Sequence, residues 1–299
     1  MFFHAHPDDE ALLTAGTMAR LADEGHRVVL VVATAGERGL TGGGRAGGDG
    51  AADARPLGEI RTAELHASAR ALGCARVVLL GYEDSGLAGD APGGFARAHV
   101  DYAALELAEL LQQEEADVLT VYDPVGGYGH PDHVQVHRVG VEAARLAGTP
   151  VVLEATVDRD RLLRVLRRVA RLPFAGRALD VATFERAYAP AEEITHRVDV
   201  EAYAGAKRAA MAAHVTQTTG GDSIRTLAAL LRLPRPLFRR ALGTEYYVRR
   251  DLAPGTALDH PLDAWPRERP AERAPAEQVP AERVLAAQAV LAAEEVAEV

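Results

Sequence analysis

Apolar and polar positions along this chain fall into two alternating patterns. Short, continuous apolar runs rich in β-branched residues occur at Arg27 to Ala33, Arg76 to Leu80, Asp117 to Val121 and Pro150 to Leu153. Runs of that length and composition are the mark of parallel strands covered on both faces. Between them, apolar residues recur at helical spacing over 10–24, 59–72, 101–114 and 132–147. Strands alternating with helices at this interval predict an α/β fold with a mainly parallel sheet. In such sheets ligands bind outside the carboxyl ends of the strands.

Two segments break the alternation. Leu40 to Leu57 is rich in glycine, lacks periodicity and reads as a long loop after the second strand, with the character of a lid. The stretch 158–192 carries a basic helix at 159–171 and then an irregular connection. A helix over 199–213 and a strand near Glu245 to Val248 follow. Beyond 252 the composition shifts, and 265–283 repeats a Pro-Ala-Glu-Arg unit. The chain therefore divides into a domain at 1–252 and a low-complexity segment at 253–299, whose last part, 284–298, has helical character.

Chemistry concentrates at two predicted strand ends. Residues 4–10 read His-Ala-His-Pro-Asp-Asp-Glu, between a short apolar start and a helix. Pro7 fixes the direction of that turn, so His6 and Asp9 can face one cleft. The three acidic residues could instead serve only as helix caps. Residues 128–133 read Tyr-Gly-His-Pro-Asp-His after the strand at 117–121. His133 and His137 lie four apart on the helix that follows, a spacing that can hold one metal ion. His133 is the better metal candidate and His137 a helix-surface or supporting histidine, with His130 and Asp132 as competing donors.

Composition narrows the choices. The chain has 299 residues, 48% of them hydrophobic, and a formal net charge of -10. A surface of that sign repels phosphate backbones, so nucleic acid is not an expected partner. A single cysteine, Cys74, excludes intrachain disulfides and thiolate-built zinc sites. A metal must then be held by histidine and carboxylate, which suits an open, catalytic site. The opening residues lack the features of a signal peptide, and no apolar run reaches the ~18 residues of a membrane span. A soluble cytoplasmic protein with no membrane partner is expected; oligomeric state is not readable. Only five residues precede His6, which implies a short first strand or a start further upstream. Basic charge is almost all arginine, Lys207 being the one lysine.

Gly42 to Gly47 fits the literal Gly-x-Gly-x-x-Gly pattern, but it does not join a strand directly to a helix as nucleotide binding requires. No Gly-x-Ser-x-Gly elbow supports a serine nucleophile.

The paired motifs His-Pro-Asp-Asp-Glu at 6–10 and Gly-His-Pro-Asp-His at 129–133 resemble those of the LmbE-like, or PIG-L-type, zinc deacetylases. Gly36 to Gly39, Asp84 to Gly89 and Ala213 to Gln217 extend the likeness over roughly residues 1–250, with 155–195 matching poorly. Within the family the likeness is greatest to the deacetylase and the conjugate amidase of mycothiol metabolism. The resemblance implies a Rossmann-like three-layer fold and hydrolysis of the N-acetyl group of a GlcNAc-type glycoside. It implies one Zn2+ held by His6, Asp9 and His133, with other divalent metals able to substitute. It makes Asp8 the general base and gives His130 and Tyr128 to the reacting amide and its oxyanion. Asp132 would orient a histidine, and Arg61 and Asp84 would contact sugar hydroxyls. Read from the residues alone, Arg61 could be a helix-surface arginine near Glu64, and Asp84 an Asp-Ser-Gly turn. An amidase for a mycothiol conjugate or an antibiotic intermediate, or a non-catalytic sugar-binding paralogue, would share the core motifs.

Overall fold

The computed structural model describes residues 1–39, 55–171, 181–218, 226–253 and 255–264. Most of the Gly-rich loop, including Gly42 to Gly47, and the tail from 265 onward lie outside the described residues. Among those described, the strands are β1 (Phe2–His4), β2 (Val29–Thr34), β3 (Arg76–Tyr82), β4 (Val118–Tyr122), β5 (Val151–Thr156), β6 (His196–Asp199) and β7 (Thr244–Val248). The helices are α1 (Asp9–Leu13), α2 (Ala15–Asp23), α3 (Leu57–Ala71), α4 (Val100–Gln113), α5 (Pro131–Ala147), α6 (Arg159–Val169), α7 (Ala204–Ala213), α8 (Val215–Thr218), α9 (Thr226–Leu231) and α10 (Arg235–Leu242).

The strands form one sheet in the order β3-β2-β1-β4-β5-β7-β6. The first five are parallel, and β7 and β6 add antiparallel at one edge. Period-two alternation splits each central strand between two cores. Phe3, Val29, Val31 and Leu119 pack with α4 and α5 on one face. Phe2, Leu30 and Val32 pack with α2, α3 and α7 on the other. The three-layer α/β reading is borne out. Helix α5 lies close on β4 because Gly140 has no side chain; a Cβ there would come within 2.3 Å of Val121 Cγ1.

Two departures have physical causes. The helix expected over 10–24 breaks at Thr14, which closes α1 and opens α2. The Thr14 hydroxyl bonds Glu10 O and meets His4 Nε2 at 2.9 Å, so it competes with the helix ladder. The break exposes the first N–H groups of α2, and Glu245 accepts from Gly16 N and Thr17 N, each at 2.8 Å. Strand β6 was not expected, because its alternating buried and exposed residues form no continuous apolar run. Residues 255–264 pack against it: Arg197 N–H donates to Leu258 O and Leu258 N–H to Thr195 O. Among the described residues no helix is long and apolar enough to cross a membrane.

Candidate active site

Strands β1 and β4 are neighbours, and the chain leaves them in opposite directions across the sheet. This is the topological switch point, where loops diverge and a crevice opens at the carboxyl ends. Residues 5–9 leave β1 there, and residues 123–130 leave β4.

On the β1 side, Asp9 turns its side chain back, and Oδ2 accepts the His6 backbone N–H at 2.9 Å. The same oxygen lies 3.3 Å from His6 Nδ1 and 3.3 Å from His133 Nε2. Asp8, between them in the turn, has φ +107° and is the N-cap of α1 without making a side-chain cap bond. Its carboxylate is 21% exposed and accepts from Arg61 Nη2 at 3.0 Å. Arg61 also donates to Pro7 O and Gly36 O.

On the β4 side, Asp123 braces the loop, accepting from Gly127 N–H at 2.9 Å and from the Thr156 hydroxyl at 2.6 Å. His130 is the N-cap of α5, its Nδ1 accepting the Asp132 N–H at 3.2 Å, with Pro131 in the first turn. Because Nδ1 accepts, the neutral ring carries its proton on Nε2. Asp132 Oδ2 accepts from His6 Nε2 at 3.1 Å and from Ser85 N–H at 3.0 Å. Asp132 thus fixes His6 with Nδ1 free to face Asp9. Tyr122 stacks on the His133 ring at 4.2 Å and 8°, and its hydroxyl is tied to His4 Nδ1.

The charges follow from this crowding. Burial lowers the His6 imidazole, but Asp132, Asp84 and Asp9 outweigh it and hold it well above its usual range. Burial raises Asp9, yet His133 and His6 pull its carboxyl well below the ordinary value. Burial pushes Asp8 up to about 6 against the pull of Arg61. Burial, with His6 and His133 adding to it, pushes His130 down to about 4.

His6, His130 and His133 bring ring nitrogens within 4.8 Å of one another, and so do donors from His6, Asp84 and Asp132. His133 is 2% exposed; its Nδ1 has no hydrogen-bond partner, and its Nε2 faces Asp9 Oδ2 at 3.3 Å. An unsatisfied buried polar group costs about 1–3 kcal/mol, which a coordinated cation would relieve. The donor set therefore fits a metal ion.

Of the residues singled out in the sequence, His6, Asp8, Asp9, His130, Asp132 and His133 converge here, and Asp84 approaches His6 at 3.6 Å. Tyr128 stands at the mouth, 48% exposed, with its ring 5.2 Å from His133. Arg61 is not a surface arginine: it is 3% exposed, and Glu64 turns to Thr216 instead. Asp84 forms the expected turn, accepting Gly86 N–H at 2.8 Å. His137 donates to Tyr122 O. Sequence reasoning missed Tyr122 and Ser68, and it gave Glu10 no role beyond capping. The spacing of Arg61, Glu64 and Ser68 along one face of α3 was a usable signal for Ser68.

A family model described as PIG-L, GlcNAc-PI de-N-acetylase, matches residues 1–144, which include both turns. The 1D-myo-inositol 2-acetamido-2-deoxy-alpha-D-glucopyranoside deacetylase of Streptomyces griseus is 40% identical over 237 residues, 73% of this chain and 74% of that protein. The deacetylase of the same name from Saccharomonospora viridis is 37% identical over 263 residues, 83% of this chain and 93% of that protein. Among solved structures, the conserved protein TT1542 from Thermus thermophilus matches with a TM-score of 0.51 at 24% identity, over 83% of this chain and 92% of that one. At that identity the likeness speaks for the fold.

Proposed function

The chain belongs to the PIG-L family of GlcNAc-PI de-N-acetylases, and from that premise we propose that it hydrolyses the N-acetyl amide of a GlcNAc-type glycoside. The products are acetate and a free amine, and the inositol-linked acetamido sugar named for its relatives is the favoured substrate. The observation that carries this reading is the convergence of His6 Nδ1 and His133 Nε2 on Asp9 Oδ2, each at 3.3 Å, beside the partly exposed carboxylate of Asp8.

His6, Asp9 and His133 would hold the metal. Two nitrogens and one oxygen, with no thiolate, suit a catalytic Zn2+ with open positions. His130 fits a ligand role less well, because its Nδ1 is engaged and its Nε2 carries a proton. When bound, the ion lowers the pKa of a water towards ~7 and polarises a carbonyl.

Asp8 is then the general base. It takes the proton of the attacking water and returns it to the departing nitrogen. Arg61 holds one Asp8 oxygen and leaves the other for this work. Asp132 keeps the His6 ring turned, as carboxylates behind metal-bound histidines do. His130, neutral with its proton on Nε2, donates to the oxyanion as the tetrahedral carbon forms. Tyr128 at the mouth would help on the oxyanion, and Asp84 beside His6 would meet sugar hydroxyls.

The test uses the full chain, stripped by a chelator and reloaded with Zn2+. It is given the inositol-linked acetamido sugar, and acetate is measured. The reloaded protein should release acetate and the stripped protein should not. Asp8→Asn should lower kcat about 10²–10⁴-fold with its zinc content unchanged. Failure of folded, metal-replete protein to release acetate would sink the assignment and direct attention to larger amide conjugates.

A further inference from the structure

Asp8 holds a backbone conformation, φ +107°, that residues with side chains rarely adopt. Such strain persists only where the surroundings over-determine it, and it clusters at functional sites. Here the surroundings can be named. In front, Arg61 grips Pro7 O and Asp8 Oδ1. Behind, the strained residue's own N–H donates to Glu10 Oε2 at 3.0 Å. The other oxygen, Glu10 Oε1, accepts from the Ser68 hydroxyl at 2.5 Å and from His214 Nε2 at 2.6 Å. Glu10, Ser68 and His214 are each 0% exposed.

His214 is itself fixed. It ends α7, a helix packed on α3. Two residues on, the Thr216 N–H and hydroxyl both donate to Glu64 of α3, at 2.8 and 2.6 Å. A rigid line thus runs from α3 and α7 through His214 and Glu10 to the Asp8 backbone.

We propose that the Glu10–His214 pair is a positioning device: His214 acts through Glu10 to hold the Asp8 backbone in its left-handed conformation and so aims the carboxylate into the cleft. The inference rests on the reading of Asp8 as general base. Neither residue touches the reacting atoms. An ordinary helix-capping glutamate sits in solvent and needs no buried histidine behind it. Glu10 instead has one oxygen on the strained residue and the other on two buried donors.

A double-mutant cycle tests this, using the zinc-loaded full chain. His214→Leu removes the donor, and His214→Gln keeps an N–H near the same place. Each is made alone and with Asp8→Asn, a change that tolerates the positive φ. His214→Leu should lower kcat about 10–100-fold, with KM and zinc content unchanged. His214→Gln should restore most of the loss. With Asp8→Asn in place, His214→Leu should cost almost nothing further, because residues that act as one unit are not additive.

The same fractional loss on top of Asp8→Asn overturns the proposal, as does an unchanged kcat accompanied only by a lower Tm. Full activity of Asp8→Asn alone would remove the general base, and the positioning role with it, and is told apart from the other outcomes by that single variant. Should His214→Leu fail to fold, Ser68→Ala and His214→Gln carry the same cycle with smaller losses.

Discussion

Lys207 lies within α7 and His214 at its end, each with a carboxylate oxygen 2.6 Å away and each closed off from water. The two pairs look alike and differ in what their carboxylates do next. Glu245, the partner of Lys207, turns both oxygens to the open N-terminus of α2, accepting from Gly16 and Thr17, and the Tyr247 hydroxyl adds a further donor. Every bond in that cluster ties one part of the scaffold to another. Glu10, the partner of His214, gives an oxygen to the N–H of Asp8 and so ends on the residue that faces the cleft. At the cleft itself, His133 Nδ1 and Asp132 Oδ1 are buried without a hydrogen-bond partner. In the Lys207–Glu245 cluster both charged groups have partners. The first pair fastens the scaffold to itself, and the second reaches the cleft.

The largest effect should come from breaking the fastening. Lys207→Met leaves Glu245 charged and buried, which costs about 3–5 kcal/mol. Denaturant unfolding should record that loss, while kcat per folded molecule stays unchanged. A fall in kcat with stability intact would erase the distinction between the two pairs. On the cleft side, His130→Ala removes the proposed oxyanion donor and should lower kcat about 10²–10³-fold. Its unfolding curve should move far less than that of Lys207→Met.

The smallest effect concerns an intermediate case. Glu154 is buried but paired with the half-exposed Arg250 at 2.9 Å. Burial raises its carboxyl to about 7 from 4.5, against the pull of Arg250. The folded state therefore binds this proton more tightly than the unfolded chain. The resulting stability is complete below pH 4.5 and is lost as pH rises towards 7. Glu154→Gln cannot titrate there and should gain on the parent through that window in melting curves taken across pH. A flat difference between the two would show that Arg250 holds the carboxylate ionised throughout.

Much of this was legible in the sequence. Apolar runs located β2 to β5 to within a few residues, because strands buried on both faces leave an uninterrupted hydrophobic record. The two histidine-rich turns stood out because five or six residues supply most of the donors locally. The rest was hidden for definite reasons. His214 and Glu10 are 204 residues apart, and no local pattern encodes that contact. Arg61 could be read as a surface residue because a charged side chain at helical spacing normally faces water; here the inner stripe of α3 carries Arg61, Glu64 and Ser68, all buried. The break at Thr14 turned on a single hydroxyl and a distant glutamate. The edge strand β6 needed its neighbour β7 to exist.

Lys207 carries one more consequence. It is the only lysine in the chain and is 1% exposed, so the folded chain presents no side-chain amine to solvent. Amine-reactive fluorogenic dyes added to folded enzyme will find no lysine to label, and in a deacetylation mixture their signal will track the liberated sugar amine. Lysine-directed crosslinkers and immobilisation resins will fail for the same reason. The abundant carboxylates and arginines offer other chemistries for attaching this molecule to a support.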